Sequence, residues 1–140
     1  MWADPKTNWS SEWNSETYIG DYFLYTDYNR IKNNLLELKS TAESMYKISS
    51  FNLGEDKVEA DLIYADEVTL FETTLAEINS STFSFPEQFK TWKENKSVPT
   101  YEDWNRIESF QLKIYNTLVA QRKAQNRLAF TLGGQKGFKV

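Results

Sequence analysis

Two stretches of the chain, "TDYNRIKNNLLELK" from Thr26 and "EDWNRIESFQLKIY" from Glu102, open on one order of residues: Asp, an aromatic, Asn, Arg and Ile. An apolar run at helical spacing follows each, so the fold must accommodate at least two helices with the same starting device. In the first, Tyr28, Ile31, Leu35, Leu38, Ala42 and Met45 recur at three-four spacing and predict a helix over 27–47, ended by the turn chemistry of Asn52 and Gly54. In the second, Trp104, Ile107, Ile114 and Leu118 mark a buried face that Gln111 interrupts. That helix is expected to start from a Thr100-x-x-Asp103 pattern resembling a capping box and to run to Phe130, before the glycines of "TLGGQKGFKV".

A third helix is predicted near Asp66, in "YADEVTLFETTLAEINSS", where Val68, Phe71, Leu75 and Ile78 form one stripe. Its β-branched Val68, Thr69, Thr73 and Thr74 weaken its intrinsic propensity, so it depends on packing. Aligning Asp66 with Asp27 and Asp103 sets Leu70 beside Ile31 and Ile107, and Leu75 beside Leu36 and Leu112. Either three related units are present, the middle one lacking the Asn-Arg pair, or short segments with a few matches align by chance. The stretch "KVEADLIYA" between the first two helices is a candidate extended segment.

Within the motif, Asp27 and Asp103 read as helix caps, and the aromatic and Ile as core positions. The arginines fit less easily. Arg30 and Arg106 place a cation in the first turn, where the helix dipole disfavours it by about a few tenths of a kcal/mol. Each guanidinium either reaches an acid or carbonyl on a neighbouring segment or faces a partner subunit. Asp27, Asn29, Arg30, Asp103, Asn105 and Arg106 are therefore the helix-entry or interface candidates.

The termini differ from the helices. Residues 1–25 hold Trp2, Trp9, Trp13, Tyr18, Tyr22, Phe23 and Tyr25 among polar residues with little helical period. This aromatic arm can lie over the bundle, dock on a neighbouring protein, or stack on carbohydrate. The Gly-containing end is either an extended segment able to add to a partner's sheet edge or a frayed terminus.

The sequence contains neither Cys nor His, which removes disulfides, thiolate ligands, cysteine nucleophiles and imidazole chemistry. The acids of "GEDKVEADLIYADE" do not have EF-hand spacing, and no GxxxxGK[ST], GxGxxG or GxSxG occurs, so neither catalysis, a metal nor a cofactor is expected. Residues 1–88 carry 6 Lys/Arg and 16 Asp/Glu (6 − 16 = −10), and residues 89–140 carry 10 and 4 (10 − 4 = +6). These are solvated faces, or acidic and basic ends that meet between identical subunits. The basic residues are too diluted by acids and Gln to point to nucleic acid. No apolar leader or membrane-spanning run is present, so synthesis in the cytoplasm without a membrane partner is expected.

A mainly α fold follows: a three-helix bundle in one domain, 1–140, with an extended aromatic arm (1–25), helices over 26–130 and an extended Gly-containing tail (131–140). "W-x-D-P-K-T-N-W" from Trp2, "IGDYFLYTDYNRIKNNLLELK", "LGEDKVEADLIYADEVTLFE" and "YEDWNRIESFQLKIYNTL...LAFTLGG" resemble, in order and spacing, a group of small proteins in phages and prophages of Gram-positive bacteria. That group is assigned to tail, baseplate or receptor-binding structures. The resemblance implies a non-enzymatic virion structural protein of a tail, baseplate or neck, assembling with itself and with other virion proteins. Two other readings of the residues stand beside it: a host-surface glycan-binding module of an adsorption apparatus, and a small regulatory protein that binds a host protein.

Overall fold

The structure is a computed structural model that describes residues 1–134, with side chains as far as Leu128. Its elements are a small hairpin, β1 (Trp13–Asn14) and β2 (Thr17–Tyr18), followed by three helices, α1 (Tyr25–Glu43), α2 (Ala65–Ser81) and α3 (Tyr101–Gly134). The arm is thus not extended throughout. It turns back on itself, with Trp13 opposite Tyr18 and Asn14 opposite Thr17 in antiparallel register.

The three helices run parallel. Contacts among their first turns, such as the Tyr28–Phe71 ring pair and the Arg30–Glu108 ion pair, bring all the starts to one end. Farther along, the Tyr46 hydroxyl donates to Gln121, and Arg122 donates to the Ser44 hydroxyl. A parallel arrangement needs connections long enough to return the chain, and residues 44–64 and 82–100 do this without forming a strand. "KVEADLIYA" forms no strand and turns at Glu59–Ala60, where Asp61 accepts from the Val58 N–H and Ala60 adopts a left-handed φ of 75°, before Tyr64 enters α2 in extended backbone.

All the stripe residues other than Met45 are buried, and Met45 packs against the core half-buried. At about 25 cal/mol per Å² of apolar area removed from water, these stripes are the main stabilising contribution. α1 begins and ends earlier than its spacing indicates, at Tyr25 and Glu43, because beyond Ala42 the chain tightens: both Met45 and Tyr46 donate to the Ala42 carbonyl. α3 continues through Gly134, since the good helix formers of "VAQRKAQNRLA" carry it past the point where glycine would end a weaker helix. The expected extended tail therefore loses residues 131–134 to α3, and its remainder, 135–140, lies outside the described residues.

Gln111 sits fully buried on the stripe where α1 has Leu35 and α2 has Leu75. Its Nε2 donates to the Ile31 carbonyl at 3.0 Å, and its Oε1 has no hydrogen-bond partner among the described residues. Gln111→Leu is expected to raise stability by about 1 kcal/mol, because it removes a buried unpaired acceptor at a position two related leucines already fill. Chemical denaturation checks the sign.

Candidate functional site

The residues of the repeated motif meet at the parallel helix starts. Helix α1 begins two residues before Asp27, so Asp27 is not the residue that precedes the helix. It stands in the first turn and accepts the Leu24 N–H at 2.9 Å. Asp103 accepts the Thr100 N–H at 2.9 Å in the same way. In α2 this part belongs to Glu67, which accepts the Tyr64 N–H at 2.9 Å, and not to Asp66. The alignment of the middle unit therefore shifts by one residue: Glu67 matches Asp27 and Asp103, and Phe71 matches Ile31 and Ile107. Adjacent acids at the start of α2 offer both registers, and the buried stripe decides between them.

In the corrected register the motif is a clasp. Asn29 exchanges two hydrogen bonds with the backbone of Lys57, Oδ1 accepting at 2.7 Å and Nδ2 donating at 2.8 Å. Asn105 does the same for Trp9, at 2.6 and 2.9 Å. A side-chain amide here reproduces the paired bonds of a neighbouring strand. Thr69, two residues after Glu67, holds Trp92 through one hydroxyl that accepts at 2.7 Å and donates at 3.0 Å. Each helix thus grips the segment leading into the next helix, and α3 grips the arm leading into α1. The three units close a ring within one chain.

The arginines lock two of the three joints. Arg30 reaches Glu108 of α3 with Nε at 2.7 Å and Nη2 at 2.9 Å, and Asp27 with Nη1 at 2.8 Å. Arg106 forks onto Glu72 of α2 and also donates to the Gln88 carbonyl at 3.2 Å. Both glutamates have no exposed surface, so each depends on its bonded partners for its charge. The third joint would set residue 70 against residue 32. These are Leu70 and Lys32: no arginine is present to face a lysine, and Lys32 turns to Asp56 and the Gly54 carbonyl instead. Both arginines are therefore engaged within the chain.

Sequence reasoning missed Glu72 and Glu108, although each follows its capping acid by the same interval, and a buried arginine requires a buried carboxylate. Burial works against the Arg30 charge, and the Glu108 and Asp27 carboxylates more than offset it, holding the guanidinium more firmly protonated than usual. Burial likewise opposes ionisation of Asp103, yet Lys90 at 2.7 Å and the Thr100 N–H keep its pKa below the ordinary carboxylate value.

Tyr28 is raised far above its ordinary pKa, first by burial and then by the Glu67 carboxylate that its hydroxyl contacts at 3.2 Å. Its neutral form is favoured by folding, so that stabilisation is complete below about pH 10 and is lost as pH rises further. Wild-type protein should lose stability between about pH 9 and about pH 11, and Tyr28→Phe should lose less over the same interval in urea titrations.

The arm aromatics separate into three environments. Trp9 is 4% exposed, and its Nε1 donates to Glu108 at 2.6 Å. Trp2 stacks on Tyr115 with ring centres 3.9 Å apart, while Asn34 grips the Ala3 backbone beside it. Tyr18 anchors the hairpin by donating to the Asp21 carbonyl at 2.7 Å. Trp13 and Tyr22 remain 64% and 65% exposed. They form the walls of an open cleft of about 590 Å³ with Tyr18, Pro99 and Tyr101, over a floor of Trp9, Phe23 and Trp104.

The acids considered for a cation are dispersed, Asp56 to Lys32 and Glu67 to Lys57. Among the described residues no group of three acids could hold a metal ion, and no helix is long and apolar enough to cross a membrane. No family model, curated protein or solved structure matches the chain.

Proposed function

We propose that the chain is a non-enzymatic virion structural protein of a phage tail, baseplate or neck, working through contacts with other copies and with other virion proteins. The observation that carries this reading is the division of labour among its side chains. The strongest polar groups, Arg30, Arg106, Glu72 and Glu108, are bound to one another inside the chain. Large apolar side chains face outward near the helix starts: Tyr22, Leu62 and Val98, each three residues before the first residue of a helix, are 65%, 66% and 74% exposed. Exposed large apolar side chains near one end of the bundle suit contacts with other proteins. The likeness in order and spacing to phage and prophage structural proteins supports the same reading. Quantitative mass spectrometry of purified particles from the encoding strain should find a stoichiometric copy; its absence would remove the proposal.

The exposed Trp13 favours one second reading, in which the cleft stacks host-surface glycan. Trp9 is buried and cannot serve as a platform, so the test rests on Trp13. Cell-wall polysaccharide should quench Trp fluorescence in wild type and not in Trp13→Ala, and equal quenching in both would exclude it.

A further inference from the structure

The parallel bundle places two unlike surfaces at opposite ends. At the helix starts lies the aromatic cleft walled by Trp13, Tyr22 and Tyr101, and the exposed acids Glu12 and Glu102 adjoin its lining residues in sequence. At the other end, α3 continues beyond the ends of α1 and α2, and residues 122–128 are all exposed. Helix α3 spans about 50 Å at 1.5 Å per residue, which puts this extension well away from the cleft of its own chain. The extension carries Arg122, Lys123 and Arg127, and the chain has no acidic residue after Glu108.

We infer that copies of the chain associate head to tail, the cationic α3 extension of one docking at the aromatic, acid-flanked cleft of the next. This deepens the self-association in the proposed function and rests on it. The chemistry is complementary on two counts. Exposed Trp and Tyr faces attract guanidinium and ammonium groups, and this attraction grows when the contact is desolvated. Glu102, which accepts from the Tyr101 hydroxyl of the cleft wall, and Glu12, next to Trp13 in the chain, supply opposite charge near the cleft, which favours one orientation and register. The cleft has room for long side chains and not for a whole helix, so the extension lies across its mouth. An end-to-end meeting of two clefts would instead set Glu12 and Glu102 of one copy against the same acids of another. Because the two surfaces are unlike and lie at opposite ends, the contact is heterologous and propagates into open chains or rings.

Sedimentation velocity of the full-length protein tests this. At an ionic strength of about 0.05 M, wild type should form concentration-dependent species larger than dimers, and about 0.5 M salt should weaken them at least roughly tenfold. Lys123→Glu with Arg127→Glu should be monomeric, and so should Glu12→Lys with Glu102→Lys. Circular dichroism establishes that both variants are folded. Mixing them should restore association, because each reversed surface then meets its complement. A wild type that stays monomeric at low salt, or association unaffected by both reversals, would overturn the inference. Copy number in particles is read independently, so a virion protein that does not stack on itself would be recognised as such.

Discussion

Arg30→Ala is expected to lower the free energy of unfolding by about 3 to 5 kcal/mol, the cost of leaving one member of a buried ion pair without its partner. A solvent-exposed arginine in a first turn would normally give a change of about a few tenths of a kcal/mol. The difference arises at Glu108, which has no exposed surface and receives two of the three bonds Arg30 makes. After the substitution that carboxylate keeps the Trp9 Nε1 and the Lys6 N–H and loses the one cation that pairs with it among the described residues. Arg30→Lys should recover part of the loss, since an ammonium restores the charge and not the fork. Urea denaturation gives the magnitude; a cost under about 1 kcal/mol would mean that Glu108 finds solvent or another donor.

Trp9→Ala should cost a comparable amount, about 3 to 5 kcal/mol, by opening a large cavity and removing a donor from the same carboxylate. Its second effect is local. Trp9 is the residue whose backbone Asn105 holds, and its ring sits between Phe23 and the Lys6 ammonium. Residues 1–22 of the variant should therefore become sensitive to limited proteolysis under conditions where wild type resists. Trp13→Ala is the matched control, expected within about 0.5 kcal/mol of wild type because its ring is largely in solvent. The two tryptophans are four residues apart and separate the arm's structural part from its contact surface.

That separation was not legible in the sequence. Trp9 and Trp13 both stand among Ser, Asn and Glu, and what distinguishes them is Asn105 and Glu108, nearly a hundred residues away. The helices and their buried stripes were legible, because three-four spacing is a local property of the chain. So was the pairing of Thr100 with Asp103. The register of α2 was ambiguous for a local reason, two consecutive acids, and Val68, Phe71, Leu75 and Ile78 resolve it only once packed. The direction of the helices left an indirect trace in the long connections 44–64 and 82–100. The partners of Arg30 and Arg106 left less: the fork geometry of arginine calls for a carboxylate, but many were available, and only the ring order of the helices selects Glu108 and Glu72.

The repeated motif is at once a helix start, a grip on the following segment and, in two joints of three, an ionic lock. Its loss in the middle unit is coherent, since Leu70 and Lys32 replace both members of one pair. A chain closed in this way brings its own beginning into its core, so that the arm and α3 are expected to unfold together.

Native-state hydrogen exchange of the Trp9, Lys57 and Trp92 amides tests ring closure most directly. All three lie outside the helices and strands, and each donates to the clasp residue of a different helix. Closure in a single chain requires the Trp9 amide to exchange only in large openings, with protection close to that of the other two and near the global stability. A Trp9 amide exchanging as fast as an unstructured arm, while Lys57 and Trp92 remain protected, would show the ring to be open and contradict the role assigned to Asn105.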